Sequence, residues 1–356
     1  MKVALLTDTH FGVRNDAAVM LDYQERFYSE VFFPFLRKNA IAHIIHLGDL
    51  VDRRKYINYL TSSRMRSMFF EPMDQGNITC DLLIGNHDTT FKNTNDVNAL
   101  RELVEGKWNN VNLFEDTATV KKYGRSLCYV PWITPENRDR TLKGITSSDA
   151  RYCFGHLELK GFLDNDRLPV EFGDDPSIFK KFDAVYSGHF HNKMSGGNVT
   201  YLGCPYEMTW SDFNDQKGFH TFDVDTGELQ FIKNPYTLFN KFVYNDEKYT
   251  LDQHISILMD AKNTFCKVYV EAKKDPYLYD RFLDELEKIG PFDLKIVEQK
   301  ITATEGEEGE LSQIDTADTI SYIHGQIDAT EMSVDKAKVK VLLSRLYNSS
   351  NTAPEL

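Results

Sequence analysis

The chain predicts an α/β fold in which two packed β-sheets are covered by helices outside, followed by a small α/β unit and C-terminal helices. Three observations carry that expectation. Short apolar runs alternate with amphipathic helical stretches in the N-terminal third, the pattern of α/β layers. Beyond that third the runs become mostly strand-like, which calls for a second sheet. Finally, 356 residues with 41% hydrophobic and 13% aromatic content exceed one typical core and do not resemble a disordered chain.

In chain order, Lys2–Thr7, His43–Leu47 and Cys80–Ile84 are apolar runs ending at Asp8, Gly48-Asp49 and Gly85-Asn86, and read as buried strands. Between the first two, Met20, Tyr23, Phe27, Val31 and Phe35 recur at three- and four-residue steps, a helix that Pro34 is expected to end or kink. Tyr59–Met73 is a second amphipathic stretch. Strands are expected at Val111–Phe114, Thr119–Tyr123, Leu127–Val130, Tyr152–Phe154, Ala184–Tyr186, Val199–Leu202 and Phe219–Val224. Asp225-Thr226-Gly227 reads as a hairpin turn into Glu228–Ile232. The sandwich should end near Phe242. Phe265–Ala272, Tyr277–Ile289 and Asp293–Gln299 then read as strand, helix and strand. The run Thr304-Glu305-Gly306-Glu307-Glu308-Gly309-Glu310 is acidic and glycine-rich, a linker composition. Ala317–Ile327 and Val334–Tyr347 carry helical patterns, the second with an apolar stripe of Val334, Val341, Leu342 and Leu346.

A net charge of −13 argues against broad non-specific binding to nucleic acid, although two bound dications would add +4 locally. The five cysteines are scattered without a C-x-x-C, so buried free thiols are expected in place of a disulfide framework or zinc ribbon. No apolar run reaches membrane-spanning length, and Met1–Leu6 enters a strand directly without a signal-peptide pattern, so the cytosol is the expected compartment.

Five fragments carry one kind of chemistry: Asp8-Thr9-His10, Gly48-Asp49, Gly85-Asn86-His87-Asp88, Gly155-His156 and Gly188-His189-Phe190-His191. Each offers Asp, Asn or His, usually beside a glycine and just after a strand-like run, and the ends of strands are where open α/β sheets place their sites. Together they supply enough oxygen and nitrogen donors for two divalent metals. Mixed carboxylate, amide and imidazole donors suit manganese, iron or zinc better than calcium. An aspartate suits the bridging position because its two oxygens can face different ions. Two ions about 3.5–4 Å apart activate water and hold a phosphate, and a nearby histidine can protonate the leaving oxygen. A lone Gly-Asp usually means a turn; the five fragments in this order are far more specific.

The set resembles the calcineurin-like metallophosphoesterase superfamily, a β-sandwich flanked by helices, here with a small α/β cap domain and C-terminal helices. Within it, Asp-Thr-His-Phe-Gly at 8–12 is similar to the D-x-H-L-G form of the SbcD / Mre-eleven recombination nucleases, especially their bacteriophage branch. The resemblance implies one metal held by Asp8, His10, Asp49 and His191 and another by Asp49, Asn86, His156 and His189, with Asp49 bridging. His87 matches the proton donor, and Asp88 would orient it. Two manganese ions, or magnesium in their place, are the implied cofactors. The implied activity is exonuclease on duplex ends and endonuclease on single strands, in recombination-dependent replication and break repair. The implied partners are DNA, an SbcC-type SMC-like ATPase and a second copy of the chain, in the host cytoplasm if the chain is phage-encoded. The implied domains are a nuclease at 1–242, a DNA-binding-type cap at 243–300, the acidic linker at 301–313 and ATPase-binding helices at 314–356. One departure is Asp52, where cellular members often carry histidine; it is expected to bond a ligating imidazole or the following arginines.

Arg53, Arg54 and Lys55 follow the second fragment and are candidates for phosphate or DNA contact, with a solvated loop as the competing reading. His46 reads as a packed strand residue. Tyr206 could stack on a base or fill the core. A protein phosphatase of the same superfamily is the alternative function, because Gly48-Asp49-Leu50-Val51-Asp52-Arg53 resembles the phosphatase form G-D-x-V-D-R-G; Arg54 stands in place of its last glycine. A non-catalytic scaffold fits poorly with a complete ligand set.

Overall fold

The computed structural model describes residues 1–165, 168–298, 327 and 336–351, and divides into two compact units, Met1–Leu238 and Phe239–Leu356. The first unit contains two six-stranded sheets. One runs in the order Leu229–Lys233, Gly218–Asp223, Lys2–Leu6, His43–His46, Thr79–Leu83, Val111–Phe114; its last four strands are parallel. The other runs Ala118–Lys122, Arg125–Val130, Tyr152–His156, Ala184–Gly188, Val199–Tyr201, Met194–Gly196, again with four parallel strands inside antiparallel edges. Their inner faces share one apolar core: Val3, Leu5, Ile45 and Leu83 meet Leu127, Tyr129, Phe154 and Tyr186. The expected α/β sandwich is therefore the observed one. Parallel strands all end at the same rim, so the loops after Leu6, His46, Leu83, His156 and Gly188 are neighbours.

The helix expected to stop or kink at Pro34 continues to Lys38. Its turns from Phe27 to Phe32 widen to the π form immediately before Phe33-Pro34. The helix that starts at Tyr59 repeats the device, with π turns at Arg66–Phe70 before Glu71-Pro72. A proline has no N–H to donate and crowds the preceding turn; a wide turn placed there absorbs both defects. All five cysteines are free and buried.

In the second unit Phe239–Asn245, Phe265–Ala272 and Asp293–Glu298 form a parallel sheet. The helix Pro276–Ile289 covers it, burying Tyr279, Phe282 and Leu286 against Tyr244, Val268 and Val270. The strand Phe239–Asn245 runs through the position where the sequence reading ends the sandwich; compactness divides the chain four residues earlier. The C-terminal helical pattern is seen as Lys336–Asn351. The acidic run 304–310, residues 317–326 of the other expected helix and Val334 lie outside the described residues. Among the described residues no helix is long and apolar enough to cross a membrane.

Candidate metal centre

Each of the five fragments lies at or just beyond a strand end on the common rim. The chain turns there in an unusual way. Asp8, His10, Asp49 and His189 all have positive φ, at 51°, 41°, 55° and 90°. Non-glycine residues adopt that region at a cost, Asp, Asn and His more readily than others. Two glycines make the crowding possible. A Cβ at Gly85 would lie 2.2 Å from Asp49 Oδ1, and one at Gly188 would lie 2.0 Å from Thr7 Oγ1 and 2.9 Å from Asp8 Oδ2.

The eight fragment residues named as metal ligands and proton donor fall into overlapping groups. Donor atoms of Asp8, His10 and His191 lie within 4.8 Å of one another; so do those of Asp49, His156 and His189, and of His10, Asp49 and His87. Asp49 touches both sides: its Oδ2 is 3.6 Å from His10 Nε2 and 3.4 Å from His156 Nε2. Asn86 Oδ1 completes the second side, 2.9 Å from His156 Nε2 and 2.8 Å from His189 Nδ1. Across the first, His10 Nε2 is 3.1 Å from His191 Nε2. His189 N–H donates to both oxygens of Asp8, at 3.0 and 3.1 Å, and Thr7 Oγ1 donates to Asp8 Oδ2 at 2.8 Å.

This donor set fits cations. Asp8 and Asp49 are buried, and among the described residues no lysine or arginine pairs with either. Burial depresses the proton affinity of His10, but the carboxylates of Asp52, Asp49 and Asp8 outweigh it and lift the ring to about 9. His156 is likewise lowered by burial yet raised to about 9, chiefly by Asp49. Asp49 is pushed up by burial, yet the rings of His156, His87 and His10 hold it well below the usual carboxylate range. The site thus demands positive charge that its own side chains supply only by taking up protons. His156 Nδ1 is 2.7 Å from the Leu47 carbonyl, which can only accept, so Nε2 is the nitrogen left facing the centre. A further group, His191, Cys204 and Asp212, is already closed: the Lys217 ammonium lies 2.8 Å from Asp212 and donates to the His191 carbonyl at 2.8 Å.

His87 sits at the edge of the centre, its ring centroid 4.7 Å from that of His10. The orienting role expected of Asp88 is filled differently. His87 Nδ1 is 2.5 Å from the Asp52 carbonyl oxygen, and its backbone N–H donates to Asp49 Oδ1 at 2.7 Å. Asp88 faces away from the His87 ring and accepts three backbone N–H groups, from Asp49, Gly85 and Val51, at 2.9, 2.9 and 3.1 Å. It fastens the loop carrying Asp49 to the loop carrying Asn86. Burial, followed by the charge of Asp49, pushes it up to about 7. Asp52 Oδ1 lies 3.5 Å from His10 Nδ1, so the residue standing in place of the cellular histidine faces a candidate ligand.

The three basic residues separate. Arg53 is bound within the protein, donating to Asp16 at 2.7 Å and to Asn15 at 2.8 Å. Lys55 is exposed. Arg54 is half-buried and its Nη1 has no hydrogen-bond partner among the described residues. Burial lowers its proton affinity and the charge of Asp49 opposes that, so the unpaired guanidinium lies within the field of the centre. His46 is a buried support, 3.1 Å from Thr9 Oγ1. Tyr206 is fully buried and donates to the Thr9 carbonyl at 2.5 Å, which removes the base-stacking reading and makes it a brace for the first fragment. Lys217 and Trp132 were not signalled by the fragments. Lys217 is a single lysine before a strand, and Trp132 follows the strand Arg125–Val130 at the same rim without offering a ligand atom of the usual kind.

Residues 1–193 match the calcineurin-like phosphoesterase family. The chain is 31% identical over 334 residues to exonuclease subunit 1 of enterobacteria phage T4, covering 93% of this chain and 94% of that protein. Among solved structures, an archaeal phosphodiesterase aligns over 66% of this chain and all of its own at 12% identity and a TM-score of 0.32. A glutamine-dependent NAD+ synthetase from Acinetobacter baumannii aligns over 98% of this chain and 72% of its own at 10% identity and a TM-score of 0.29. Similarity that weak carries no weight for fold or chemistry.

Proposed function

The chain belongs to the calcineurin-like phosphoesterase family, and on that premise we propose that it is a two-metal DNA nuclease, hydrolysing phosphodiesters at duplex ends and in single strands. The observation that carries the reading is the position of Asp49 between the two donor groups, 3.6 Å from His10 and 3.4 Å from His156. Asp8, His10, Asp49 and His191 would hold one manganese or magnesium ion, and Asp49, Asn86, His156 and His189 the other. When bound, the pair supplies Lewis acidity and a water-derived nucleophile at neutral pH. The choice of DNA over phosphoprotein is supported by the phage exonuclease subunit, whose similarity spans nearly the whole chain.

The protein's own residues would do the rest. The Asp52 carbonyl fixes the His87 ring by accepting Nδ1–H, which leaves Nε2 to carry the proton for the departing oxygen. Burial favours the neutral ring, and Asp49 partly opposes it; the negative charge of an arriving phosphodiester tips the ring further towards its protonated form. Arg54, half-buried within the field of the centre, would bond a phosphate oxygen with its guanidinium. Arg53 would act one step removed, by holding the Asn15–Asp16 turn. The "subunit" designation of the phage relative supports a second component, which we propose is an SbcC-type ATPase held by residues 314–356. It also leaves room for a homodimer.

An assay with manganese, comparing linear duplex DNA, single-stranded DNA and a phosphopeptide, tests the reading. Cleavage of both DNAs is expected; turnover of the phosphopeptide alone would establish the phosphatase alternative. His87→Ser should retain DNA and metal binding while losing turnover, and loss of metal would make His87 a ligand. Arg54→Ala should reduce the salt slope of DNA binding by about one, whereas Arg53→Ala leaves it unchanged; equal slopes for Arg54→Ala and the parent protein would remove the phosphate contact.

A further inference from the structure

Beside the second donor group lies a groove of about 550 Å³ whose lining includes Trp132, Phe172, Lys92, Arg138, Glu158 and Asp174. We infer that it seats one nucleobase of the strand being cut, stacked on Trp132, next to the phosphodiester at the centre; the inference rests on the nuclease reading above. The groove adjoins the centre: the Trp132 ring lies 5.1 Å from that of His189 and 6.0 Å from that of His156. Trp132 is also a fixed platform. Its backbone N–H donates to the carbonyl of Ile84, the residue before Gly85-Asn86, at 2.9 Å, and its own carbonyl accepts from Asn95 and Asn137, each at 3.0 Å. The loop that aims Asn86 therefore also sets the tryptophan. Phe172 adds a second ring and is 73% exposed.

Charge decides which part of a nucleotide belongs here. The lining holds two cations and two anions, and Arg138 is closed by Asp174 at 2.5 Å. A phosphate would gain little in such a groove. A neutral planar base gains aromatic contact and finds polar groups for its edges, and the volume is in the ~300–1,000 Å³ range of small-ligand pockets. Phosphate recognition is left to the centre and to Arg54.

The test uses the full-length, manganese-loaded protein and single-stranded oligonucleotides with one cleavable phosphodiester, the nucleotide on either side of it carrying a base or an abasic residue. The quantity read is the ratio of kcat/KM, intact over abasic, in which any shared damage to the centre cancels. The intact substrate should win by about tenfold or more on one side of the cut, the scale of one stacked base. The ratio should fall towards one in Trp132→Ala and in Phe172→Ala, and Trp132→Phe should restore most of it. If Trp132→Ala does not fold, Phe172→Ala and Trp132→Phe carry the test. A ratio near one on both sides in the parent protein, or a ratio that neither alanine variant changes, overturns the groove while leaving the nuclease. Failure of the parent protein to cut any of these DNAs overturns both readings.

Discussion

Asp49 and Asp81 are both buried, one beyond the end of a strand and one inside the neighbouring strand, and their surroundings differ in kind. Asp81 lies inside the strand Thr79–Leu83 and is saturated. It receives bonds from Tyr129 at 2.7 Å, Asn112 at 2.9 Å and Lys122 at 2.5 Å, with His43 Nε2 at 3.2 Å. Lys122 and Tyr129 come from the other sheet, so the cluster ties the two layers together. Asp49, beyond a strand end, has backbone N–H and imidazole neighbours but no fixed cation among the described residues. The difference teaches how to read a buried carboxylate. One that is paired with a permanent cation is part of the scaffold. One that meets imidazoles and backbone N–H groups without a permanent cation is a candidate for holding a cation from outside.

The comparison can be broken most decisively at Asp49. Asp49→Asn should reduce metal-dependent cleavage by at least about 10³-fold and abolish most of the rise in melting temperature that manganese gives the parent, because the carboxylate shared by the two donor groups has been removed. A variant that manganese stabilises as much as the parent would place Asp49 with Asp81 as scaffold. The converse variant, Asp81→Ala, should cost about 3 kcal/mol in denaturant unfolding, leaving Lys122 and His43 without their shared partner, and retain activity per folded molecule. Acid sharpens the contrast. Burial pushes Asp81 up, but His43, Lys122 and Asn112 outweigh it and hold the carboxyl at about 2. Its folded value lies below its unfolded one, so its contribution of about 2 kcal/mol is full above roughly pH 4 and is lost as pH falls through about 2. Asp81→Asn should flatten that part of the stability profile, and an unchanged profile would contradict the assignment. A smaller effect is expected at Lys217→Met, which unties the His191 carbonyl and should weaken manganese affinity about tenfold. Least of all, Arg53→Ala should cost under about 1 kcal/mol, as a partly exposed pair.

Much of this was legible in the sequence because ligand fragments immediately follow apolar runs, and parallel strands bring their ends together without further instruction. Side-chain direction was not legible. Asp88 follows His87 directly, yet the loop turns its carboxylate towards the backbone of Asp49, Gly85 and Val51. Arg53 looked as available as Arg54 until the fold brought Asp16 to it from 37 residues away. Pro34 was half legible: the α form is interrupted just before it, as its local rule requires, but by wide turns that let the helix run on to Lys38. Trp132 could not be found from ligand chemistry, since its place beside His189 depends on the order and register of the strands in one sheet.

The most direct measurement is the manganese stoichiometry of the purified full-length protein, by calorimetric titration and by metal analysis after dialysis. The account predicts two ions per chain in the parent protein and in Asp81→Asn, and at most one weakly held ion in Asp49→Asn. A parent protein that binds no manganese, or an Asp49→Asn variant that still binds two ions with unaltered affinity, would contradict it.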